Sequence, residues 1–501
     1  MWRASGSLSV LALAGQVLQL ALQFVLARSF GTGAEIDALV AASAGPNLLL
    51  ALLILSVGQL LVPQLLRERE AGVEAYATAR NSLFVPIGVL GALLAAGFAL
   101  FPEVALGIFT PGLAGEAHAL AGKYLLWTGA GLIPSVLLAY LTQTHNAREN
   151  YARPALAGMI QSLVLLTLFL AFKDRYGVFA LVMLQVFVGL AATLVLLGSE
   201  LRASVGGFDL AHPSLRRFYA MGIPVVIVAA STRVNVAVDR FFVSFLSEGS
   251  LSLLHYADRW VSVVQAILSM PLVTVLFTRL SKEAAAGNTS NDASREGFAA
   301  VFFIGIPAAI WTWAAAPDLA TFLLYGRARG PEELTILTNV LRAYSALIAC
   351  MAFGSVLVKS FYAQQRTISP MLWAGLSPMI LNVIFDWLLV ERYGVVGLAA
   401  VTSINAVVGL PLGAWLFARN NPGLFGREFW TGFARAALAG LPLLALPLAA
   451  GVLLAGEGQG AIGGRLFAMA LAAPVIYLLI SRLLGSPQAS EILQLFRRQR
   501  A

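Results

Sequence analysis

Long stretches in which nearly every position is apolar alternate with short polar breaks along the whole chain. Runs such as Leu48-Leu49-Leu50-Ala51-Leu52-Leu53-Ile54-Leu55 are hydrophobic on every face. They show neither the period-two alternation of a barrel strand nor the polar stripe of a surface helix. A bilayer offers backbone N–H and C=O groups no water, so such runs must satisfy them internally, as helices. At ~1.5 Å per residue, about 20 residues cross a hydrocarbon core of roughly 30 Å. The pattern predicts about fourteen spans, at roughly 7–28, 36–62, 81–102, 118–142, 154–172, 178–198, 219–246, 251–278, 297–316, 334–363, 370–390, 395–417, 429–452 and 464–483. The predicted class is an all-α polytopic membrane protein.

Composition agrees: of 501 residues, 59% are hydrophobic and only 12% charged, which excludes an ordinary soluble protein. Leu8 to Leu26 reads as a first span that is retained rather than as a cleaved signal. The lone cysteine, Cys350, lies in an apolar run and has no disulfide partner. The net charge of +8 sits mostly in short loops, so it reports topology before any nucleic-acid or anionic partner. With an even number of spans both termini share a side; a cytoplasmic N-terminus gives 19 loop Lys and Arg on that side against 8 on the other, which fixes both termini as cytoplasmic. Only the connection from Ser199 to Tyr219 is long, and Gly206-Gly207 and Pro213 mark it as a linker.

The chain repeats itself. Arg175-Tyr176-Gly177-Val178 returns as Arg392-Tyr393-Gly394-Val395, each after a span that begins at a proline, Pro154 and Pro370, at separations of 217 and 216 residues. Leu61-Val62-Pro63-Gln64-Leu65 echoes Leu276-Phe277-Thr278-Arg279-Leu280 at 215. The expected organisation is an N-lobe of helices 1–6 (1–205), a C-lobe of helices 7–12 (206–425), and helices 13 and 14 with a tail (426–501). Six is even, so the copies share an orientation and are related about the membrane normal, two pseudo-symmetric lobes around a central cavity that suit alternating access.

A charge in hydrocarbon costs at least ~2.5–3.5 kcal/mol, so ionisable residues within spans are candidates by default. The predicted second lobe holds Arg233, Asp239, Arg240, Asp258, Arg259, Arg342, Lys359 and Asp386; the first has Asp37 near a helix start. Asn382 and Asp386 are four apart and share a helix face. Counted from the outer helix ends, Asp386 is ~6 Å deep, and Asp239 and Thr402 ~10 Å. Two carboxylates, an amide oxygen and a hydroxyl suit a small hard cation. The corresponding first-lobe positions for Asn382 and Asp386 are Leu165 and Phe169. The alternative is that Asp386 makes a hydrogen bond near a helix end while Asp239 pairs with a distant arginine. Arg233, Arg240 and Arg259 are candidates to line the cavity and take a phosphate bidentately; Arg259 reads equally as an interfacial residue that snorkels. Arg342 and Lys359 read as snorkelling. His118, His145, His212 and His255 have no metal spacing and read as solvated or interfacial. No acid pair, phosphate loop or nucleophile elbow points to an enzyme.

The chain resembles the MOP exporter superfamily and, within it, the MurJ/MviN group of lipid II flippases. The residues that carry the resemblance are Ala27-Arg28-Ser29-Phe30-Gly31 with Asp37 and Pro46-Asn47-Leu48-Leu49, Tyr256-Ala257-Asp258-Arg259, Ala343-Tyr344-Ser345, Phe361-Tyr362-Ala363 and Gly397-Leu398-Ala399. The resemblance implies a fourteen-helix, two-lobe flippase of the bacterial cytoplasmic membrane that moves an undecaprenyl-pyrophosphate-linked peptidoglycan precursor outward, without a cofactor and driven by an ion gradient or membrane potential. It also implies a sodium site at Asp239, Asn382, Asp386 and Thr402 with the Leu398 carbonyl, and a cavity that includes Arg259 with Asp258 and Asp37. Its partners would be the anionic lipid-linked precursor, membrane lipids and cell-wall synthesis proteins. The chain departs from the group at Gln16 and Leu22, and at Leu50 and Ala51, where basic residues are expected. That leaves export of another polyprenyl-linked glycan or an amphipathic drug, and a non-transporting role in an envelope complex, as competing functions.

Overall fold

The computed structural model describes residues 2–203, 206–268, 292–363 and 377–490. The echo at Leu276–Leu280, the end of the eighth predicted span and Pro370 at the start of the eleventh lie outside them. The described residues form helices α1 (Trp2–Phe30), α2 (Ala34–Ala71), α3 (Val73–Leu100), α4 (Pro102–Phe109), α5 (Gly115–Ala130), α6 (Leu132–Ala147), α7 (Ala152–Ala203), α8 (Pro213–Val243), α9 (Ser250–Leu268), α10 (Asp292–Leu323), α11 (Pro331–Ala363), α12 (Ser377–Ala418), α13 (Arg427–Gly440), α14 (Leu446–Leu453) and α15 (Gln459–Leu483), with a 3-10 turn at Leu441–Ala445. Among the described residues, ten continuous segments are long and apolar enough to cross a membrane. Two of them, α7 and α12, each hold two of the predicted spans. The seventh and eighth spans, α8 and α9, fall outside that set; they carry Arg233, Asp239 and Arg240, and Asp258 and Arg259.

Gly177 and Gly394 divide α7 and α12. Both leave helical geometry in the same way, at φ 59, ψ −148 and φ 56, ψ −143. A left-handed φ is cheap only for glycine, so the repeated Arg-Tyr-Gly-Val is the sequence of a turn. The preceding arginine lies over the tyrosine ring in both copies, at 5.3 Å for Arg175 and Tyr176 and 5.5 Å for Arg392 and Tyr393. Each helix doubles back at its glycine. A Cβ on Gly189 would sit 3.8 Å from Gln161 Nε2, and Asn405 reaches Asn382 at 3.1 Å across 23 residues. Helix boundaries follow the same register: α2 starts at Ala34 and α9 at Ser250, while α5 to α6 run Gly115 to Ala147 and α11 runs Pro331 to Ala363.

Packing divides the chain into two compact units, Met1–Ser252 and Leu253–Ala501. In the first, Leu61, Leu65, Tyr76, Leu83, Val136, Tyr140 and Leu196 form a core from α2, α3, α6 and α7. In the second, Phe298, Phe353, Phe361, Phe417 and Phe429 form an aromatic core. The terminal helices join that unit through Arg465 on α15, whose Nη2 meets Asp318 Oδ1 on α10 at 2.9 Å while Nη1 donates to the Gly456 carbonyl at 2.7 Å.

Alanine at either turn glycine should lower the thermal midpoint of the purified protein, by about 1–2 kcal/mol of stability for the strained φ. Gly177→Ala should be the worse, because its Cβ would meet Glu35 Oε2 at 3.2 Å whereas Gly394 has nothing within 4 Å. Equal, negligible shifts would show that the turns tolerate a side chain.

Candidate functional site

The second hairpin gathers most of the predicted cation ligands. Asn382 and Asp386 are fully buried on the first arm of α12. Leu398, Thr402 and Asn405 follow at i, i+4 and i+7 on the second arm, which places them on one face. The Asn405–Asn382 contact sets the register of the antiparallel arms, and the same register brings Thr402 level with Asp386. Asn382 Nδ2 donates to Asp386 Oδ2 at 2.8 Å, and Asn405 Nδ2 donates to Asn382 Oδ1 at 3.1 Å. Thr402 Oγ1 donates to the Leu398 carbonyl at 3.1 Å, so its proton is used on the backbone. A buried carboxylate, an amide, a hydroxyl and a helix carbonyl make an all-oxygen donor set that fits a hard monovalent or alkaline-earth cation. Among the described residues no three His, Cys, Asp or Glu side chains gather as a transition-metal site would require. Asp239, the remaining predicted ligand, is buried on α8 in the other compact unit.

Asp37 has a defined use. Its Oδ2 accepts from Gly249 N at 2.6 Å, and its Oδ1 accepts from Ser252 N at 2.8 Å and from the Ser252 hydroxyl. In return Glu248 Oε1 accepts from Ala34 N at 3.0 Å. The starts of α2 and α9, equivalent in the repeat, thus cap each other with carboxylates, which satisfies orphan N–H groups and suits the positive ends of both helix dipoles.

The predicted cavity arginines divide by exposure. Arg233 is exposed, and Arg240, Asp258 and Arg259 are half-buried. The Nε of Arg259 is enclosed without a hydrogen-bond partner among the described residues. Next to it, Trp260 stacks on Trp311 at 5.9 Å. Arg342 lies 4.7 Å over the Trp313 ring, a cation–π contact in place of the expected snorkelling.

A second polar site escaped the sequence reading. Arg80, His145 and Glu200 are buried at 3%, 1% and 0% exposure on α3, α6 and α7. Glu200 meets Arg80 Nη1 at 3.3 Å, Arg148 Nη1 at 3.4 Å and His145 Nδ1 at 3.2 Å. His145 also contacts the Leu141 carbonyl at 2.9 Å and Ser199 Oγ at 2.7 Å. The reading of His145 as solvated or interfacial is therefore corrected: helix packing encloses it. Arg80, Arg148 and Glu200 lie at the polar edges of apolar runs and were counted with the loops. The available signal was their place at one level of adjacent helices. Beside this network, Asn81 Nδ2 donates to the Gly206 carbonyl at 2.8 Å and Ser82 Oγ accepts from Asp209 N at 2.9 Å, which holds the linker against α3.

A profile of the lipid II flippase MurJ family matches residues 26–457. A probable lipid II flippase MurJ of Thermotoga maritima is 23% identical over 484 residues, 96% of each chain. One from Vibrio cholerae is 29% identical over 211 residues, 40% of this chain and 38% of that one. Among solved structures, a lipid II flippase MurJ in an inward closed conformation superposes with a TM-score of 0.80 at 20% identity, over 97% of this chain and 99% of that one. An inward-facing multidrug MATE transporter of the MOP superfamily gives 0.67 at 16% identity, over 83% and 96%.

Removal of the Glu200 carboxylate leaves Arg80 buried without its anion. Glu200→Ala should cost about 3–5 kcal/mol and sharply reduce the yield of folded protein in detergent. Wild-type yield and thermal midpoint would show the network to be dispensable.

Proposed function

The chain belongs to the lipid II flippase MurJ family, and from that membership we propose that it carries lipid II, the undecaprenyl-pyrophosphate-linked peptidoglycan precursor, across the bacterial cytoplasmic membrane by alternating access. The observation that carries this is the family match over residues 26–457. The chain is a multi-pass membrane transporter, and its chemistry is that of binding and release, not of bond cleavage. The loop charge bias supports both termini on the cytoplasmic side.

Arg259 supplies a guanidinium group suited to the pyrophosphate, and its enclosed Nε supports a role for that side chain in substrate binding. The Asp37 cap is a latch: α2 and α9 cannot part at their starts without exposing Gly249, Ser252 and Ala34 N–H groups, so its bonds must break and reform in each cycle. Asp386, Asn382, Thr402 and the Leu398 carbonyl form the hairpin's part of a sodium site that couples the cation gradient to the cycle; the buried oxygen set supports that reading. A different polyprenyl-linked glycan remains a second reading on one observation. Where the group's basic residues are expected, Leu22 is buried and Leu50 packs on the apolar core of the first unit.

Expression of this chain should restore growth to a strain depleted of its lipid II flippase; failure by a well-expressed, correctly inserted protein would turn the assignment toward the other glycan. Arg259→Ala should lower flipping without loss of expression, and full activity would leave Arg259 outside the substrate path. Sodium should raise the thermal midpoint of the wild type and not of Asp386→Ala. A wild type indifferent to sodium sinks the ion site.

A further inference from the structure

We infer that His145 is a proton-binding site, and that the proton it takes from solution decides how firmly Glu200 holds the turn between α6 and α7. The surroundings of the ring suit two states without moving a heavy atom. Nδ1 lies 2.9 Å from the Leu141 carbonyl, which can only accept, so Nδ1 carries a hydrogen in either state. Nε2 lies 2.7 Å from Ser199 Oγ, whose own hydrogen is directed to the Leu196 carbonyl at 2.8 Å. In that arrangement the hydroxyl accepts from Nε2, and the ring is an imidazolium. When the hydroxyl hydrogen swings from Leu196 to Nε2, the same contact serves the neutral ring in reverse. Ser199 is half-buried, which gives the enclosed ring its route to water.

The counter-charge is in place. Glu200 Oε2 meets both arginines, Arg80 at 3.3 Å and Arg148 at 3.4 Å, whereas Oε1 is enclosed without a hydrogen bond and lies 3.2 Å from His145 Nδ1. A proton on the ring brings a third cation to this carboxylate, and the three repel one another at low dielectric. Arg80 is held: its side chain is 4% exposed and also donates to Asn81 Oδ1 at 2.8 Å and to the Glu200 carbonyl at 3.2 Å. Arg148, 31% exposed, has water to turn to and is the one that leaves. It lies in the turn itself, where the backbone N–H groups of Arg148 and Asn150 donate to the His145 carbonyl at 3.1 and 2.9 Å. Between them Glu149 stands at φ 60, a left-handed conformation uncommon for a residue with a side chain. The neutral ring therefore leaves Glu200 to hold Arg148 and the turn, and the charged ring loosens both. The other titratable or charged groups packed around the ring are Tyr76 on α3, Tyr140 on α6 and Arg69 on α2, which donate to the carbonyls of Thr144, Arg80 and Ala147. The pH that counts is that on the side of this turn, the cytoplasm in the orientation proposed above.

The test follows the ring nitrogens by magnetic resonance in purified full-length protein with isotope-labelled histidine, where His145→Gln identifies His145 among the four histidines. Between about pH 8 and about pH 5, the range in which histidine ordinarily changes charge, the His145 ring should pass from one protonated nitrogen to two. In Ser199→Ala the bare Nε2 of the high-pH form should lose its hydrogen bond and move its resonance, which identifies the ring even if His145→Gln does not survive purification. Over the same range, amide hydrogen exchange in residues 146–151 of the wild type should accelerate roughly three- to fivefold relative to Arg148→Gln measured at each pH, the worth of a partly exposed ion pair. Arg148→Gln, which lacks the side chain that leaves, should exchange at the fast level at both ends of the range. A ring that keeps one protonation state throughout overturns the proton site. A ring that titrates while the exchange ratio stays constant, or an Arg148→Gln turn as protected as the wild type at high pH, overturns its hold on the turn.

Discussion

A carboxylate withdrawn from water must be met by donors or by a cation, and three of the buried carboxylates among the described residues show how this chain meets that demand. Asp37, Glu200 and Asp386 have 2%, 0% and 0% of their surface exposed, and each is met in a different way. Asp37 receives backbone N–H groups at a helix start, which are fixed partial charges that need no counter-ion. Glu200 receives Arg80 and Arg148, a pairing whose Coulomb attraction must offset the desolvation of all members. Asp386 accepts from the Asn382 amide, a neutral donor one helical turn away.

Much of the fold was legible because the bilayer imposes one requirement on every span. Saturated apolar runs had to be helices, and the repeated Arg-Tyr-Gly-Val had to be one structure formed twice, as the matching φ and ψ at Gly177 and Gly394 show. Helix ends were less legible. The α3 helix begins at Val73 and α2 runs to Ala71, each well outside its predicted span. Hydropathy reports the thickness of hydrocarbon, whereas helical geometry continues through polar residues for as long as backbone bonds can propagate.

The candidate site was legible only where the polar residue lay deep in an apolar run. Asn382 and Asp386 stood out against their neighbours, and the hairpin brings Asn405 onto Asn382. Asn405 did not stand out, since one amide in a span has no pattern until its partner is known. Arg80, His145 and Glu200 failed for the opposite reason: at the edge of a span a charge is the ordinary case, and only the packing of α3, α6 and α7 shows these to be enclosed. Arg342 was read as snorkelling, and Trp313 gives its guanidinium a partner that no spacing along one helix could supply.

Duplication makes the divergence of the two halves physically informative. A shift of 216 residues carries His145 onto Phe361, and one of 217 carries Glu200 onto Phe417. Those two rings pack at 4.9 Å, edge to face and fully buried, where the first half has its ionic network. Breaking a buried ion network strands charges and costs about 3–5 kcal/mol, while an aromatic pair contributes about 0.5–1.5 kcal/mol beyond its area and keeps most of that as the rings slide. The first half is therefore tied at the level of Glu200, and the second is free to adjust at the same level. The carboxylate proposed as an ion ligand, Asp386, lies in the hairpin of the adjustable half. The two halves thus close the same level of the fold by different physics, charge pairing in one and ring packing in the other.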